Sequence, residues 1–281
     1  MRKYLSLIKF SHTIFAMPFA LIGFFLATKS NEFEWITFLY VVLCMIFARS
    51  AAMAFNRYID RDIDAANSRT AQVREIPNGS IKANSALIFV IINSLLFVTT
   101  TYLINSLCFL LSPIALLVIL CYSYTKRFTA LCHLILGLGL ALAPIGAYLA
   151  VTGEFDVIPL LFSVAVLFWV SGFDIIYSLQ DQDFDKEQTL HSIPVLIGTK
   201  NALNLSKTLH FLTFSALSIA GSFGDFSLYY WIGLGIFTTL LIYQHILVKH
   251  NDLSKVNLAF FTTNGIGSVI FGVFVIADLL I

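Results

Sequence analysis

Two stretches of this 281-residue sequence place polar side chains at intervals of four residues. Four residues is slightly more than one turn of an α-helix, so the members of each set are predicted to share one helix face. Each set overlaps or follows the end of a long apolar run, where a helix is expected to end. The sets are Asn56, Asp60 and Asp64 in the first stretch, and Tyr177, Asp181 and Asp185 in the second.

The four aspartates of these sets require a positively charged partner. Carboxylates on adjacent turns repel one another, the negative end of a helix dipole disfavours them, and an acid inside a membrane costs about 2.5–3.5 kcal/mol. A hard divalent cation removes this conflict, and Mg²⁺ binds carboxylates, waters and substrate phosphates. The four cysteines show no spacing that would favour a softer metal. The predicted magnesium ligands are Asn56, Asp60, Asp64, Asp181 and Asp185.

Basic residues in the neighbouring segments indicate an anionic ligand. Arg69 and Arg74 follow the first aspartate set, and Lys126 follows a later apolar run. A diphosphate carries more negative charge than one Mg²⁺ ion cancels. Arginine suits bidentate contacts with phosphate, and lysine acts as a point charge. We therefore predict that these three side chains bind a diphosphate, the alternative being that they only orient the protein in a membrane.

The composition identifies the elements that must carry these residues as membrane helices. Apolar residues make up 58% of the chain and charged residues 12%, whereas soluble proteins have about 45–50% and 25%. A bilayer core needs about 20 apolar residues for each helical span. Nine stretches meet this need, so we predict an all-α membrane protein with nine transmembrane helices in one bundle. They are residues 11–29, 35–57, 84–104, 107–125, 131–151, 157–180, 202–220, 228–248 and 257–279.

The distribution of positive charge predicts the orientation of these spans. Of the 17 Lys and Arg residues, Lys29 alone falls in a loop after an odd-numbered span. Since cytoplasmic loops retain Lys and Arg, the N-terminus and the loops carrying both aspartate sets are predicted to face the cytoplasm. No linker composition divides the chain, so residues 1–281 are predicted to form a single membrane domain.

These residues resemble the motifs of the UbiA family of intramembrane aromatic prenyltransferases, and the resemblance covers essentially the whole chain. The first family motif is matched by Asn56, Asp60 and Asp64, with Arg57 where many members have Asp. One residue is added in the segment from Ala71 to Arg74. The second motif and the basic segments are matched by Asp174, Tyr177, Asp181 and Asp185, by Arg69-Thr70-Ala71 and Arg74 to Pro77, and by Tyr122, Lys126 and Arg127.

The resemblance implies an enzyme of a bacterial inner membrane that uses Mg²⁺ to transfer a polyprenyl group from its diphosphate to an aromatic acid. The acceptor it implies is 4-hydroxybenzoate, in ubiquinone biosynthesis, or alternatively a dihydroxynaphthoate, in menaquinone biosynthesis. It also implies that Arg127 binds the carboxylate of the acceptor, that Asp174 and Tyr177 contact its ring, and that a motif aspartate accepts the ring proton. The partners implied are these two substrates and the lipid bilayer, with no nucleic acid and no obligate protein partner.

A cation-coupled transporter is the alternative from a different class, because acids inside a membrane often mark ion pathways. Transporter sites tend to lie near the middle of the bilayer on broken helices. The aspartates of this chain instead gather at one membrane face together with basic residues. The pattern therefore favours the prenyltransferase.

Overall fold

The computed structural model of the chain describes residues 2–8 and 15–281, and its regular elements are helices. A single antiparallel bridge joins Lys249 to Asp252. A 3-10 turn at Leu179–Asp181 follows α8, and a π-helix at Leu258–Thr263 precedes α12. The α-helices are α1 Arg2–Leu7, α2 Met17–Thr28, α3 Trp35–Ile59, α4 Arg61–Ala66, α5 Ala83–Ile104, α6 Ser106–Thr125, α7 Cys132–Thr152, α8 Val157–Ser178, α9 Gln182–Glu187, α10 Ile193–Phe223, α11 Leu228–Leu247 and α12 Asn264–Leu280.

Seven helical segments in the described part of the chain are long and apolar enough to cross a bilayer. The predicted class, an all-α membrane protein, is confirmed. The two remaining predicted spans coincide with α2, an apolar helix of 12 residues, and with part of α10. Residues 11–14 of the first predicted span lie outside the described residues. The seven segments are Trp35–Ile59, Ala83–Ile104, Ser106–Thr125, Cys132–Thr152, Val157–Glu187, Leu228–Leu247 and Leu258–Leu280.

The described residues fall into two compact units. The first comprises Met1–Thr13 and Glu34–Tyr124, and the second comprises Ile14–Phe33 and Thr125–Ile281, each within its described part. In the first unit, α3 packs along α5 and α1 packs against α3. Their shared apolar cluster places the α3 residues that precede the first aspartate motif against α1 and α5. Its buried members are Leu7, Ile8, Ala54, Ile81, Ala86 and Val90.

In the second unit, α8 packs along α7 on one side and α10 on another, α2 packs on α7, and α11 packs on α12. Trp169 of α8 is fully buried at the centre of this unit. Its ring centroid lies 5.2 Å from that of Phe19 and 5.6 Å from that of Phe237. These three rings join α2, α8 and α11, so the helix that leads into the second aspartate motif is held on several sides.

Glycines allow helices of the second unit to approach one another closely. A Cβ atom at Gly23 of α2 would lie 2.0 Å from the carbonyl oxygen of Pro144 in α7. A Cβ atom at Gly137 of α7 would lie 2.4 Å from the carbonyl oxygen of Leu167 in α8. Both distances are too short for a side chain, so these contacts depend on glycine, as is common between membrane helices.

Hydrogen bonds from buried side chains also cross the core of the second unit. Trp169 donates its Nε1–H to Oδ1 of Asn264 at 2.9 Å. The carbonyl oxygen of Ala259, in the π-helix, accepts from Gln244 at 3.1 Å, from Asn264 at 3.2 Å and from the hydroxyl of Thr263. Buried polar groups in a membrane protein need such partners, because the hydrocarbon offers none.

Candidate active site

The middle position of each set is an aspartate that lies at a break between a long helix and a helix of six residues. Asp60 separates α3 from α4, with φ −88° and ψ 5°. Asp181 separates the 3-10 turn after α8 from α9, with φ −107° and ψ 6°. Both conformations are close to the sparsely populated bridge region, where many active-site residues are found. The two motifs therefore share a backbone conformation at this position as well as a residue spacing.

These breaks change the predicted setting of the last aspartate in each motif. The sequence predicted both sets at the C-terminal ends of long helices, where the helix dipole disfavours carboxylates. Asp64 and Asp185 instead lie in the first turn of α4 and α9. The partial charge at the start of a helix is positive. The helix dipole therefore opposes these two carboxylates less than the sequence pattern suggested.

In the first unit, the aspartates of the motif are buried and connected by hydrogen bonds. Asp60 is 3% exposed and Asp64 is 8% exposed. Asn56 donates its Nδ2–H to Oδ2 of Asp60 at 2.9 Å, which places both on one face as predicted. Arg57, itself buried, donates from Nη1 to Oδ1 of Asn56 at 2.7 Å. The arginine that replaces the usual Asp thus orients the asparagine amide of the motif.

The segment after α4 brings one predicted diphosphate ligand to this motif. Nε of Arg74 lies 4.0 Å from Oδ2 of Asp64. The Thr70 hydroxyl donates to the Asp64 carbonyl oxygen at 2.8 Å, which ties the segment to α4. Arg69 is exposed, and its backbone N–H donates to Oδ1 of Asn67 at 2.9 Å. Arg74 is therefore next to the motif despite the added residue, while Arg69 lies on the surface of the unit.

Arg49 is a residue of the first unit that the sequence reasoning missed. It lies in α3 seven residues, about two helical turns, before Asn56. Its Nε has no hydrogen-bond partner among the described residues, and Tyr122 and Arg57 lie within electrostatic range. A guanidinium in an apolar helix is costly, so it is a candidate for binding an anion. The signal was present, as Arg49 interrupts the apolar run 35–57.

In the second unit, the predicted diphosphate ligand Lys126 lies close to the second motif. Asp181 and Asp185 are partly buried, and Asp185 lies within electrostatic range of both Asp181 and Lys126. Backbone hydrogen bonds hold these segments together. The His191 N–H donates to the Lys126 carbonyl oxygen at 2.7 Å, and the Leu190 N–H donates to that of Asp185 at 2.8 Å. Two carboxylates and a cation are thus brought together.

The residues expected to contact an aromatic substrate differ in their surroundings. Oδ2 of Asp174 lies 2.7 Å from Nδ1 of His133 in α7, a pairing that the sequence did not predict. The ring centroid of Tyr177 lies 4.2 Å from that of Phe260 in the π-helix. Arg127 is partly exposed just after α6. Nothing in the local sequence marked His133, because its partner lies 41 residues away.

The oxygen-rich side chains of both motifs fit a hard divalent cation. Among the residues that the structure describes, no three His, Cys, Asp or Glu side chains form a metal cluster. Mg²⁺ does not require one, because it usually binds one or two carboxylates and completes its shell with waters and substrate phosphates. A pair of carboxylates with a nearby cation, as in each motif, suits a metal that is shared with a phosphate.

Comparison with known proteins agrees with this geometry. The sequence profile of the UbiA prenyltransferase family matches residues 16–266. A 4-hydroxybenzoate octaprenyltransferase of Tolumonas auensis is 31% identical over 223 residues, which are 79% of this chain and 77% of that protein. One from Aeromonas hydrophila is 30% identical over 236 residues, which are 84% of this chain and 81% of that protein.

Solved structures show the same fold. A UbiA homolog from Aeropyrum pernix superposes with a TM-score of 0.86 at 30% identity, over 95% of this chain and 98% of that chain. A UbiA homolog from Archaeoglobus fulgidus, solved with DMAPP and Mg²⁺, gives a TM-score of 0.76 at 21% identity, over 99% of each chain. With its paired aspartate motifs and the profile match over most of its length, the chain belongs to the UbiA prenyltransferase family.

Proposed function

We propose that this prenyltransferase uses Mg²⁺ to transfer a polyprenyl group from its diphosphate to 4-hydroxybenzoate, in ubiquinone biosynthesis. The observation that carries the proposal is that each motif combines two carboxylates with a cation: Arg74 lies 4.0 Å from Asp64, and Lys126 lies within electrostatic range of Asp185. The relatives named 4-hydroxybenzoate octaprenyltransferase support the acceptor. The Archaeoglobus homolog solved with DMAPP and Mg²⁺ supports the donor class and the metal.

The proposed chemistry breaks the bond between the prenyl carbon and the diphosphate oxygen and forms a carbon–carbon bond to the acceptor ring. When bound, Mg²⁺ supplies positive charge to the departing diphosphate, which is usually a large catalytic term. A motif carboxylate accepts the proton that the ring loses. The metal ligands we propose are Asn56, Asp60, Asp64, Asp181 and Asp185.

We assign the remaining side chains to the two substrates. Arg69, Arg74 and Lys126 bind the phosphate oxygens, with the arginines suited to bidentate contacts. Arg127 binds the acceptor carboxylate. Asp174 and Tyr177 contact the acceptor ring and its hydroxyl group, and their partial burial leaves part of each side chain accessible.

We further propose that the chain forms one membrane domain over residues 1–281 with nine spans and a cytoplasmic N-terminus. This arrangement places α2 and α10 in the bilayer beside the seven helical segments that are long and apolar enough to cross it. The concentration of Lys and Arg in alternate loops supports the orientation. The active-site loops then face the cytoplasm from a bacterial inner membrane, where both substrates are available.

A dihydroxynaphthoate, as used in menaquinone biosynthesis, is the second candidate acceptor. The observation that favours it is Arg57, which is buried beside Asn56 where many family members have an acidic residue. This replacement adds a positive charge to the first motif and removes a possible metal ligand. With both acceptors the prenyl group leaves its diphosphate and forms a bond to a ring carbon of the acid.

Purified protein in lipid nanodiscs would test the proposal. We expect octaprenyl diphosphate, Mg²⁺ and 4-hydroxybenzoate to give a prenylated acid detectable by mass spectrometry. A parallel reaction with 1,4-dihydroxy-2-naphthoate distinguishes the two acceptors. Asp181→Ala should abolish turnover, while Asp183→Ala, at the exposed position two residues later, should not. Failure to form product with either acceptor would refute the proposed function.

A further inference from the structure

His133 and Asp174 form a pair in the second unit, and the proposed chemistry assigns a role to Asp174 but none to His133. His133 is the second residue of α7, and Asp174 lies near the end of α8. Nδ1 of His133 lies 2.7 Å from Oδ2 of Asp174. The His133 side chain is 3% exposed, whereas that of Asp174 is 22% exposed. A substrate can therefore reach the carboxylate but not the imidazole.

The second ring nitrogen of His133 defines the direction of this hydrogen bond. The backbone N–H of Ile193, the first residue of α10, donates to Nε2 of His133 at 3.3 Å. A ring nitrogen that accepts a hydrogen bond carries no proton, so this contact assigns the ring proton to Nδ1. Nδ1–H must then donate to Oδ2 of Asp174. His133 cannot turn its ring over without losing both contacts.

The backbone around His133 is held in place as firmly as the ring. The Ser171 hydroxyl in α8 lies 3.2 Å from the carbonyl oxygen of His133 and 2.7 Å from that of Leu167. One turn along α7, Gly137 permits α7 and α8 to approach closely, since its missing Cβ would lie 2.4 Å from the Leu167 oxygen. The imidazole is thus fixed by α7, α8 and the start of α10.

We propose that His133 is a positioning residue for the acceptor site. By donating from Nδ1 to Oδ2, it holds the Asp174 carboxylate in one orientation. Oδ1 is then left to accept a hydrogen bond from the hydroxyl group of the aromatic acid. This inference rests on the proposed function, in which Asp174 contacts the acceptor. A displacement of about 1 Å in a substrate-contacting group can cost about 100-fold in rate. Partners that orient metal-binding carboxylates contribute about 10–100-fold, and we expect an effect of the same order for a carboxylate that contacts the acceptor.

Two amide replacements separate the two contacts of His133. His133→Asn places an N–H donor near the position of Nδ1 but has no acceptor for Ile193. His133→Gln places an acceptor near the position of Nε2 but has no donor for Asp174. We expect the Asn variant to keep kcat/KM for the acceptor within about 5-fold, and the Gln variant to lose about 10–100-fold. In both variants KM for the prenyl diphosphate should change less than about 2-fold.

A double-mutant cycle tests whether His133 acts through Asp174. If it does, His133→Leu combined with Asp174→Ala should be no slower than Asp174→Ala alone. Losses that multiply would overturn the inference, and so would an active Gln variant paired with an inactive Asn variant. Thermal unfolding in detergent identifies any variant that fails to fold. The rates of the variants that do fold then decide whether His133 acts through Asp174. The wild-type protein is the control for the proposed function. If it forms the prenylated product, the results with the variants test the role of His133 alone.

A spectroscopic measurement tests the same pair without turnover. In protein labelled with ¹⁵N-histidine, His133 should show a protonated Nδ1 and an unprotonated Nε2, identified by loss of its signals in His133→Leu. Asp174→Ala should shift the Nδ1 resonance, because it removes the acceptor. An unprotonated Nδ1 in the wild-type protein would overturn the inference, since Nδ1 would then have no hydrogen to donate to Asp174.

Discussion

Replacing Asp60 by Asn removes one negative charge from the first motif with little change of shape. Asp60 is 3% exposed and accepts a hydrogen bond from Asn56 at 2.9 Å, which an amide oxygen can also accept. Asp62, two residues later, has a side chain that is 87% exposed and an ion pair with Arg61 at 3.8 Å. Asp62→Asn is thus a matched control with the same chemical change on the surface.

The structure predicts that Asp60→Asn leaves the stability of the metal-free protein equal or higher and lowers its activity. Without metal, the variant loses a repulsion with Asp64 one turn away, about 0.2–0.5 kcal/mol, and no longer buries a charge. Its free energy of unfolding should therefore equal or exceed that of the wild type. With Mg²⁺ and a prenyl diphosphate, one charged metal ligand is missing. Loss of one preorganised charge-stabilising group costs about 10²–10³ in kcat, or about 2.7–4 kcal/mol.

Thermal unfolding and turnover, each measured with and without Mg²⁺ and substrate, would test this prediction. A ligand at 100 times its Kd stabilises the wild type by about 2.7 kcal/mol, and most of this shift should disappear in Asp60→Asn. Asp62→Asn should keep the shift and stay within about 2-fold of wild-type turnover, because exposed ion pairs contribute about 0–1 kcal/mol. Equal turnover in the two variants would refute the assignment of Asp60 as a metal ligand.

Three further predictions follow from the core and the metal. Gly23→Ala should lower the free energy of unfolding by about 1–3 kcal/mol, since its Cβ would lie 2.0 Å from the Pro144 oxygen. Gly146→Ala, which meets nothing within 4 Å, should raise it by about 0.5–1 kcal/mol, and thermal unfolding measures both. Trp169→Phe should cost about 1–3 kcal/mol in the same assay, because it leaves the buried Asn264 oxygen without its donor. EDTA should abolish prenyl transfer, and added Mg²⁺ should restore it; turnover that persists in EDTA would contradict a metal-dependent reaction.

The helices of this fold were readable from the sequence because their signal is local. Apolar runs bounded by polar residues predicted spans at 84–104 and 157–180, and the corresponding helices are Ala83–Ile104 and Val157–Ser178. The alignment of Asn56 with Asp60 was equally local, since a four-residue spacing alone places two side chains on one helix face. The family could also be predicted from the sequence, because the residues of each motif are close together in the chain.

Features that depend on distant contacts were not readable. The pairing of His133 with Asp174 joins two helices, and no spacing rule connects residues 41 positions apart. The breaks at Asp60 and Asp181 were missed because aspartate only weakly disfavours helix interiors, so the pattern of spacing looked continuous. Arg49 was visible as a charge in an apolar run, but only the packed structure shows that its Nε has no hydrogen-bond partner among the described residues.

The π-helix at Leu258–Thr263 makes the chain sensitive to a change of length at this point. A π-turn contains one residue more than an α-turn, so a single deletion here would restore ordinary α-helical hydrogen bonding. Each residue of an α-helix turns the chain by about 100°, so the deletion would rotate α12 relative to the segment before it. Asn264 could then no longer bond to Trp169 while Phe260 packs on Tyr177. The extra residue thus sets the rotation between the two segments. It allows Asn264 to bond within the core while Phe260 packs on Tyr177 of the second aspartate motif.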